Sequence, residues 1–158
     1  MCGICGIINF NRKPVEEIQI KSMMLKIKHR GPDDEGSFFS SSIALGFVRL
    51  SILDLTIQGH QPMFSSVIKL QNPKIENSVS DGRYVIIYNG EVYNYIELRV
   101  ELESKGYRFK SNTDTEVFLN SFIQWGEKCL KKFNGMWAFA IYDRERKELF
   151  CSRDRYGI

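Results

Sequence analysis

The sequence lacks a long run of apolar residues and a marked excess of charge of either sign. Its apolar stretches, such as residues 84–88, have the length of a strand and are far too short to cross a membrane. The 22 basic and 19 acidic residues leave a net charge of only +3, and no cluster of lysines and arginines alternates with aromatic residues. We therefore expect neither a membrane partner nor a nucleic-acid partner.

A secretion signal is also missing. Residues 1–10 are mainly apolar, but no basic region precedes them and Asn9 interrupts them. This predicts a cytoplasmic protein in which the four cysteines, at positions 2, 5, 129 and 151, are free thiols. Histidine is scarce as well, since the chain has only His29 and His60, and we expect His29 to be structural.

What is present suits one compact domain of mixed secondary structure. Apolar residues with helical spacing predict a helix over residues 15–28, and Thr113 with Glu116 forms a capping-box pattern for a helix that ends near residues 125–126. A further helix is predicted to follow a sharp turn at Asn89-Gly90 and to end before Gly106.

Strands are predicted between these helices, and the connections read as loops. The predicted strands are residues 2–10, 43–49, 51–55, 83–88, 136–142 and 148–151. Residues 29–36 are predicted to be a polar loop, and residues 56–82 a long irregular segment. Several strands with a few helices and little strict alternation indicate an α+β fold with packed sheets.

Cys2 is the first candidate for a chemical role. Removal of Met1 would leave a chain that begins with a thiol and an α-amine on the same residue. The amine has an ordinary pKa of about 7.7–8.0, so part of it is a free base near neutral pH. It could therefore take the proton of its own side chain, as in enzymes with an N-terminal nucleophile.

Position alone leaves other interpretations of Cys2 open. It could be a small apolar residue that starts a buried strand. Cys2 and Cys5 also match the C-x-x-C spacing of redox and zinc sites. A thioredoxin-like motif would follow a strand and open a helix, however, and Cys129 and Cys151 do not form a second pair with that spacing.

Eight short motifs, in order along the chain, resemble one known family. They are spread along nearly the whole sequence, and only residues 63–82 form a long stretch outside the resemblance. They are residues 1–7 (MCGICGI), 29–33 (HRGPD), 49–55 (RLSILDL), 61–62 (QP), 88–94 (YNGEVYN), 113–116 (TDTE), 135–143 (GMWAFAIYD) and 153–157 (RDRYG). The chain resembles the glutaminase domain of glutamine-hydrolysing asparagine synthetases, which are class II amidotransferases.

The resemblance implies an N-terminal nucleophile hydrolase fold, a four-layer αββα sandwich. It implies that residues 1–158 are part of a type-2 glutamine amidotransferase domain, truncated at its C-terminal end. An ATP-dependent synthetase domain would follow in the same polypeptide. The expected partners are glutamine, that synthetase domain and a second copy in a homodimer. No cofactor or metal is expected in this domain, and ATP and Mg²⁺ are expected only in the missing one.

The resemblance also implies the role of each site residue. Cys2 would attack the side-chain amide of glutamine, and Asn89 and Gly90 would stabilise the oxyanion that forms. Arg49 would bind the α-carboxylate and Asp114 the α-ammonium. The further substrate contacts would be Glu91, Leu50, Ile52 and Leu53. Arg30 is expected to order the loop beside the nucleophile, and Trp137 and Phe139 are expected to be core residues.

Two features depart from the family pattern. The family usually has a histidine two or three positions before Arg49, where this chain has Gly46 and Phe47. The segment between Pro62 and Asp81 is longer than usual. Other class II acceptors, such as a surface-polysaccharide sugar acid, stay open at this point, as do a catalytically silent relative that acts as a binding module and an N-terminal nucleophile acylase or peptidase.

Overall fold

The computed structural model describes residues 1–66 and 82–158. The irregular segment predicted for residues 56–82 therefore lies partly outside the described residues. The helices are α1 (Glu17–Ile27), α2 (Tyr95–Ser104) and α3 (Asp114–Trp125), with short 3₁₀ turns at Lys28–Arg30, Ile57–Gly59 and Gly126–Lys131. The strands are β1 (Gly3–Ile8), β2 (Asp34–Ser40), β3 (Ile43–Arg49), β4 (Met63–Phe64), β5 (Tyr84–Val92), β6 (Gly135–Asp143) and β7 (Glu148–Arg153).

The strands form two antiparallel sheets. The first has the order β1-β3-β2, with Cys5 opposite Gly46 in the β1–β3 pair. The second has the order β4-β5-β6-β7, with Asn89 opposite Ala138 in the β5–β6 pair. Because β4 is only two residues long, it pairs with β5 at Val85 and Ile86 alone, and the rest of that edge has no strand neighbour within the described part of the chain.

Apolar side chains join these elements in four layers. Helix α1 packs on the outer face of the first sheet, where Ile20 meets Val48 in one cluster. The inner faces of the two sheets meet at a cluster that contains Phe47 and Ile87. Helices α2 and α3 cover the outer face of the second sheet. The order helix, sheet, sheet, helix confirms the predicted αββα sandwich, and Trp137 and Phe139 are buried in it as expected.

The start of α3 forms only one half of the predicted capping box, because the Glu116 side chain accepts from the Ser111 amide and the Thr113 amide donates to the Ser111 hydroxyl. The Thr113 hydroxyl accepts a hydrogen bond from the Glu116 amide at 3.2 Å, which satisfies a backbone donor that has no partner within the helix. Glu116 turns back to accept from the Ser111 amide at 2.7 Å. Asp114 is the first helical residue, so the cap fixes where its carboxylate lies.

Three local predictions are wrong. Asn89 and Gly90 do not form a turn but continue β5 to Val92, because pairing with β6 extends through both residues. Residues 51–55 form no strand; the backbone carbonyl of Asp54 instead accepts a hydrogen bond from Arg49, which draws the segment into a loop. The second half of the predicted loop at 29–36 belongs to β2, which pairs with β3 from Asp34 onwards.

Among residues 1–66 and 82–158, no helix is both long enough and apolar enough to cross a lipid bilayer.

Candidate active site

An open cavity of about 100 Å³ lies where the ends of β1 and β3 meet β5 and the start of α3. All nine predicted site residues line it, although they come from four separate segments of the chain. They are Cys2, Arg49, Leu50, Ile52, Leu53, Asn89, Gly90, Glu91 and Asp114. The fold therefore brings together the set that the sequence motifs indicated.

Cys2 is held at the cavity by backbone contacts. The Leu50 amide donates to its Sγ at 3.4 Å, and that sulfur lies 3.6 Å from the Leu50 carbonyl oxygen. The Arg30 guanidinium donates to the Cys2 carbonyl at 3.0 Å, as expected for a residue that orders this region. Met1 also lines the cavity, so its removal would enlarge the space beside the thiol and leave the new α-amine there.

The surroundings of Cys2 favour the neutral thiol. Burial raises the pKa of the Cys2 thiol above its ordinary value, although the Leu50 amide, the positive chain terminus and Arg49 act in the opposite direction. A thiol in this state is a poor nucleophile without a base. Neither His29 nor His60 lines the cavity, and His60 is bound at 2.7 Å to Asp34. The α-amine that removal of Met1 would expose on Cys2 is therefore the candidate base.

Strand β5 presents two candidate donors for a negatively charged oxygen. Asn89 is half-buried, and its Oδ1 accepts no hydrogen bond from the described residues. The amides of Tyr88 and Val92 point away from β6, since they donate to Gln61 at 2.6 Å and to Asp114 at 3.0 Å. Amides alternate in direction along a strand, so the Gly90 amide between them points to the same edge. That edge faces the cavity.

Gly90 is required by close packing and not by a turn. A Cβ on Gly90 would lie 2.2 Å from the Met136 carbonyl oxygen and 2.7 Å from the Trp137 Cα. A side chain would therefore force β5 and β6 apart. The motif indicated a residue that lines the cavity, but the turn predicted from the local Asn-Gly signal is wrong, because Gly90 lies within β5.

Arg49 forms the positive end of the cavity. It is 7% exposed, and its guanidinium donates to the Thr56 carbonyl at 2.9 Å and to the Asp54 carbonyl. These neutral acceptors orient the guanidinium without cancelling its charge. Gly59 leaves room for it, because a Cβ there would overlap the Arg49 side chain. The charge stays available for an anionic ligand.

Asp114 and Glu91 form the negative end. Asp114 is 6% exposed, and one carboxylate oxygen accepts from the Tyr88 hydroxyl at 2.8 Å as well as from the Val92 amide. Burial raises the pKa of Asp114, while these two donors lower it. Burial, with the nearby Asp114 charge, also raises the pKa of Glu91. A bound ammonium would relieve the repulsion between the two carboxylates.

Several cavity residues were not predicted from the sequence. Gln61 lies in a recognised motif but had been given no role, and nothing local to Tyr88 marks it as a partner of Asp114. Phe47, at the position where the family usually has a polar residue, lines the cavity and is fully buried in the core between the sheets. The wall that it forms is therefore apolar.

The C-x-x-C spacing does not produce a paired site. Cys2 packs in the cluster between the sheets, whereas Cys5 packs in the cluster beneath α1. An odd spacing along a strand places the two side chains on opposite faces, so the thiols cannot meet. In the described parts of the chain, no three cysteine, histidine or acidic residues are grouped so that they could hold a metal ion.

This fold, with a cysteine at position 2 and a cavity charged oppositely at its two ends, is that of an amidotransferase glutaminase domain. A family model described as a glutamine amidotransferase domain matches residues 1–158. The chain belongs to the glutamine amidotransferase domain family, which confirms the resemblance seen in the motifs.

The similar curated proteins are longer than this chain. It is 46% identical over its whole length to a putative glutamine-hydrolysing asparagine synthetase of Methanocaldococcus jannaschii and covers 31% of that protein. It is 42% identical to glutamine-hydrolysing asparagine synthetase 1 of Bacillus subtilis and covers 23% of it. The chain thus spans less than a third of the length of these relatives.

A solved structure supports the fold. The glutamine phosphoribosylpyrophosphate amidotransferase of Bacillus subtilis matches 98% of this chain and 37% of its own, with a TM-score of 0.70 and 21% identity. At this identity the likeness concerns the αββα fold alone.

Proposed function

We propose that this domain hydrolyses glutamine to glutamate and ammonia, with Cys2 as the nucleophile once Met1 has been removed. One observation carries the proposal. A partly buried thiol, two candidate strand donors and a pair of opposite charges, Arg49 and Asp114, line the same small cavity. Family membership supports the same reaction.

The two charged ends match a free α-amino acid. The Arg49 guanidinium would pair with the α-carboxylate, for which a planar fork of donors is well suited. Asp114 and Glu91 would bind the α-ammonium. An acylase or peptidase would gain nothing from this arrangement, because an internal peptide residue carries neither charge. The side-chain amide of the bound glutamine would then extend towards Cys2.

The first half of the reaction cleaves the amide. The Cys2 α-amine takes the thiol proton, and the thiolate attacks the amide carbon to form a tetrahedral intermediate. The negative oxygen is stabilised by the Asn89 side-chain amide and the Gly90 N–H; one such donor is worth about 3–4 kcal/mol. The ammonium of Cys2 then returns its proton to the leaving nitrogen, and ammonia departs as the C–N bond breaks.

The second half restores the enzyme. The γ-glutamyl group is now a thioester on Cys2. The α-amine takes a proton from a water molecule that attacks the thioester carbonyl, and the same donors stabilise the second oxyanion. Collapse of this intermediate releases glutamate and returns the proton to the sulfur. None of these proposed reaction steps requires a metal or a cofactor.

The relatives support a use for the ammonia. Their names describe glutamine-hydrolysing asparagine synthetases, so we infer that this domain supplies ammonia to an ATP-dependent synthetase domain that amidates aspartate. ATP and Mg²⁺ would bind there and not in the cavity described above. A different acceptor, such as a sugar acid, would use the same glutaminase chemistry. The homodimer and the cytoplasmic location stay predictions from the sequence.

Intact mass measured together with ammonia release tests the nucleophile. We expect the active protein to lack Met1 and the Cys2→Ala variant to release no ammonia from glutamine above background. Cys5→Ala is the matched control, because Cys5 lies on the opposite face of β1, and it should retain activity. Full activity in protein that keeps Met1, or in Cys2→Ala, would contradict the mechanism.

A further inference from the structure

The outer edge of β5 changes its hydrogen-bond acceptors along its length. At the start of β5, strand β4 pairs with Val85 and Ile86, and the Ser65 hydroxyl accepts from the Tyr84 amide at 3.1 Å. Past Ile86, no strand among residues 1–66 and 82–158 accepts from the next amides on this edge. A buried amide without an acceptor is costly, so side chains must take over.

Two side chains replace the missing strand. Gln61 Oε1 accepts from the Tyr88 amide at 2.6 Å, and Asp114 accepts from the Val92 amide at 3.0 Å. The Gly90 amide lies midway between them, and no described side chain accepts from it. Gln61 and Asp114 therefore hold β5 in place on both sides of the Gly90 amide, the proposed oxyanion donor.

The side-chain amide of Gln61 also makes a second hydrogen bond. Its Nε2 donates to the Thr115 hydroxyl at 3.3 Å, and Thr115 follows Asp114 at the start of α3. The side chain is only 4% exposed. It thus spans the gap between the strand that carries the oxyanion donors and the helix that carries the ammonium-binding carboxylate. This bridge needs an acceptor and a donor on one side chain, which an amide supplies.

We propose that Gln61 is a positioning residue for glutamine hydrolysis: by replacing a strand neighbour at Tyr88, it holds the Gly90 N–H at the place where the oxyanion forms. This rests on the proposed glutaminase function. Gln61 does not exchange a proton with the substrate, and its effect is exerted through β5. Because the oxyanion exists only during the reaction, the loss of Gln61 should lower kcat more than it raises KM.

The first test is Gln61→Met in the full natural chain, which keeps the length of the side chain and removes both hydrogen bonds. We expect kcat for ammonia release to fall about 10–100-fold, less than for outright loss of a donor, while KM changes less than about threefold. Gln58→Met is the matched control. Gln58 is an exposed glutamine three residues earlier, and the same change there should leave kcat unchanged.

Inhibitor binding separates the oxyanion from the ground state. A glutamine analogue with an aldehyde in place of the amide would form a tetrahedral adduct with Cys2, whereas glutamate would bind without one. Gln61→Met should weaken aldehyde binding about 10-fold or more and glutamate binding by less than about threefold. Equal weakening of both ligands, or a kcat within twofold of the wild type, would overturn the proposal.

Gln61→Glu keeps the test decisive if Gln61→Met does not fold. A protonated glutamic acid has one acceptor and one O–H donor and so mimics the amide, whereas its anion lacks the donor and adds charge. A carboxyl buried beside Asp114 and Glu91 has a raised pKa. The kcat of Gln61→Glu, relative to wild type at the same pH, should therefore recover as the pH falls. A ratio that stays constant with pH would overturn the proposal.

The two hypotheses fail in different ways. If wild-type protein releases no ammonia, or if Cys2→Ala still does, the glutaminase function itself is wrong. If wild-type activity depends on Cys2 but the Gln61 variants behave like Gln58→Met, only the role of Gln61 is wrong.

Discussion

The cavity has two walls that are built differently. One, the strand wall, consists of residues 88–92 of β5 with Asp114 at the start of α3; Tyr88 is 2% exposed and Asp114 is 6% exposed. The other, the loop wall, is residues 50–54, in which Ile52 and Leu53 are 59% and 41% exposed. The strand wall is held by a sheet and a core, whereas the loop wall is held by a few polar contacts.

This difference matches the two tasks proposed for the site. Stabilising an oxyanion requires donors fixed to within a fraction of an ångström, which packed elements provide. Binding the carboxylate requires only that the Arg49 guanidinium stay oriented, and the carbonyls of Asp54 and Thr56 do this from the loop. We therefore expect changes in the strand wall to affect kcat or tight substrate binding, and changes in the loop wall to have milder effects on KM.

The largest effect is expected from Gly90→Ala in the strand wall. The added Cβ would meet the Met136 carbonyl at 2.2 Å, so β5 must shift and the Gly90 amide with it. Ammonia release should show a kcat lowered about 100-fold or more, and urea unfolding a loss of about 1–3 kcal/mol.

Gly126→Ala separates lost stability from lost catalysis. Gly126 has a φ of 57°, so alanine is strained there, but a Cβ would meet nothing within 4 Å. This variant should also be less stable but should keep its kcat. Wild-type kcat in Gly90→Ala would show that the strand wall does not supply the oxyanion donor.

Asp114→Asn should have the next largest effect. Asparagine can still accept from Tyr88 and the Val92 amide, but the charge that binds the ammonium is lost. We expect KM for glutamine to rise about 10–100-fold, in line with about 1.5–3 kcal/mol for a hydrogen bond to a charged group. Glu116→Gln changes a neighbouring buried carboxylate that binds backbone amides and should leave KM unchanged.

The pH dependence of KM sharpens this prediction. Burial raises the pKa of Asp114 above its ordinary value, although its hydrogen-bond donors lower it. As the pH falls through that raised pKa the carboxylate becomes neutral, so wild-type KM should increase towards acid pH. In Asp114→Asn this increase should be much smaller. If both proteins showed the same acid-side increase, Asp114 would not be the ammonium ligand.

The smallest effect is expected in the loop wall, from Asp54→Asn. The Asp54 carboxylate accepts from the Thr56 amide at 2.8 Å and from the Asn112 amide at 3.2 Å, so it ties the loop to the segment before α3. Asparagine keeps one acceptor. KM should rise only about 3–10-fold with kcat within twofold, and stability should fall by about 1 kcal/mol.

The acid-side stability of Asp54 gives a second readout. Hydrogen bonds from Thr56 lower the pKa of Asp54. The ionised Asp54 side chain therefore contributes to the free energy of unfolding above the ordinary pKa of an aspartate. This contribution is lost as the pH falls through the lowered pKa. Leu55→Ser, at an exposed position that does not line the cavity, should change neither quantity. A kcat loss in Asp54→Asn as large as that of Gly90→Ala would remove the distinction between the two walls.

The sequence predicted the site better than it predicted the local structure around it. Helix α3 was predicted because Thr113 and Glu116 cap it locally. Asn89-Gly90 was predicted to be a turn because its local signal is that of a turn, and the chain continues as a strand only because β6 lies alongside. Residues 51–55 look like a strand by composition, but the Arg49 side chain, a few residues earlier, donates to the carbonyls of Asp54 and Thr56 and turns them into a loop.

By itself, the sequence indicated which residues line the cavity and which cysteine is the candidate nucleophile, because short motifs at fixed spacings are readable without a fold. The tertiary structure alone decided why the donors are in place. Only in the folded chain does the pairing of β4 with β5 stop at Ile86, so that Gln61 and Asp114 replace β4 as acceptors. Gly90 then lies between these two contacts and lines the same cavity as Cys2. Hydrogen bonds between residues tens of positions apart have no signature in local sequence, so the side chains that hold β5 at the cavity lined by Cys2 could be found only in the folded protein.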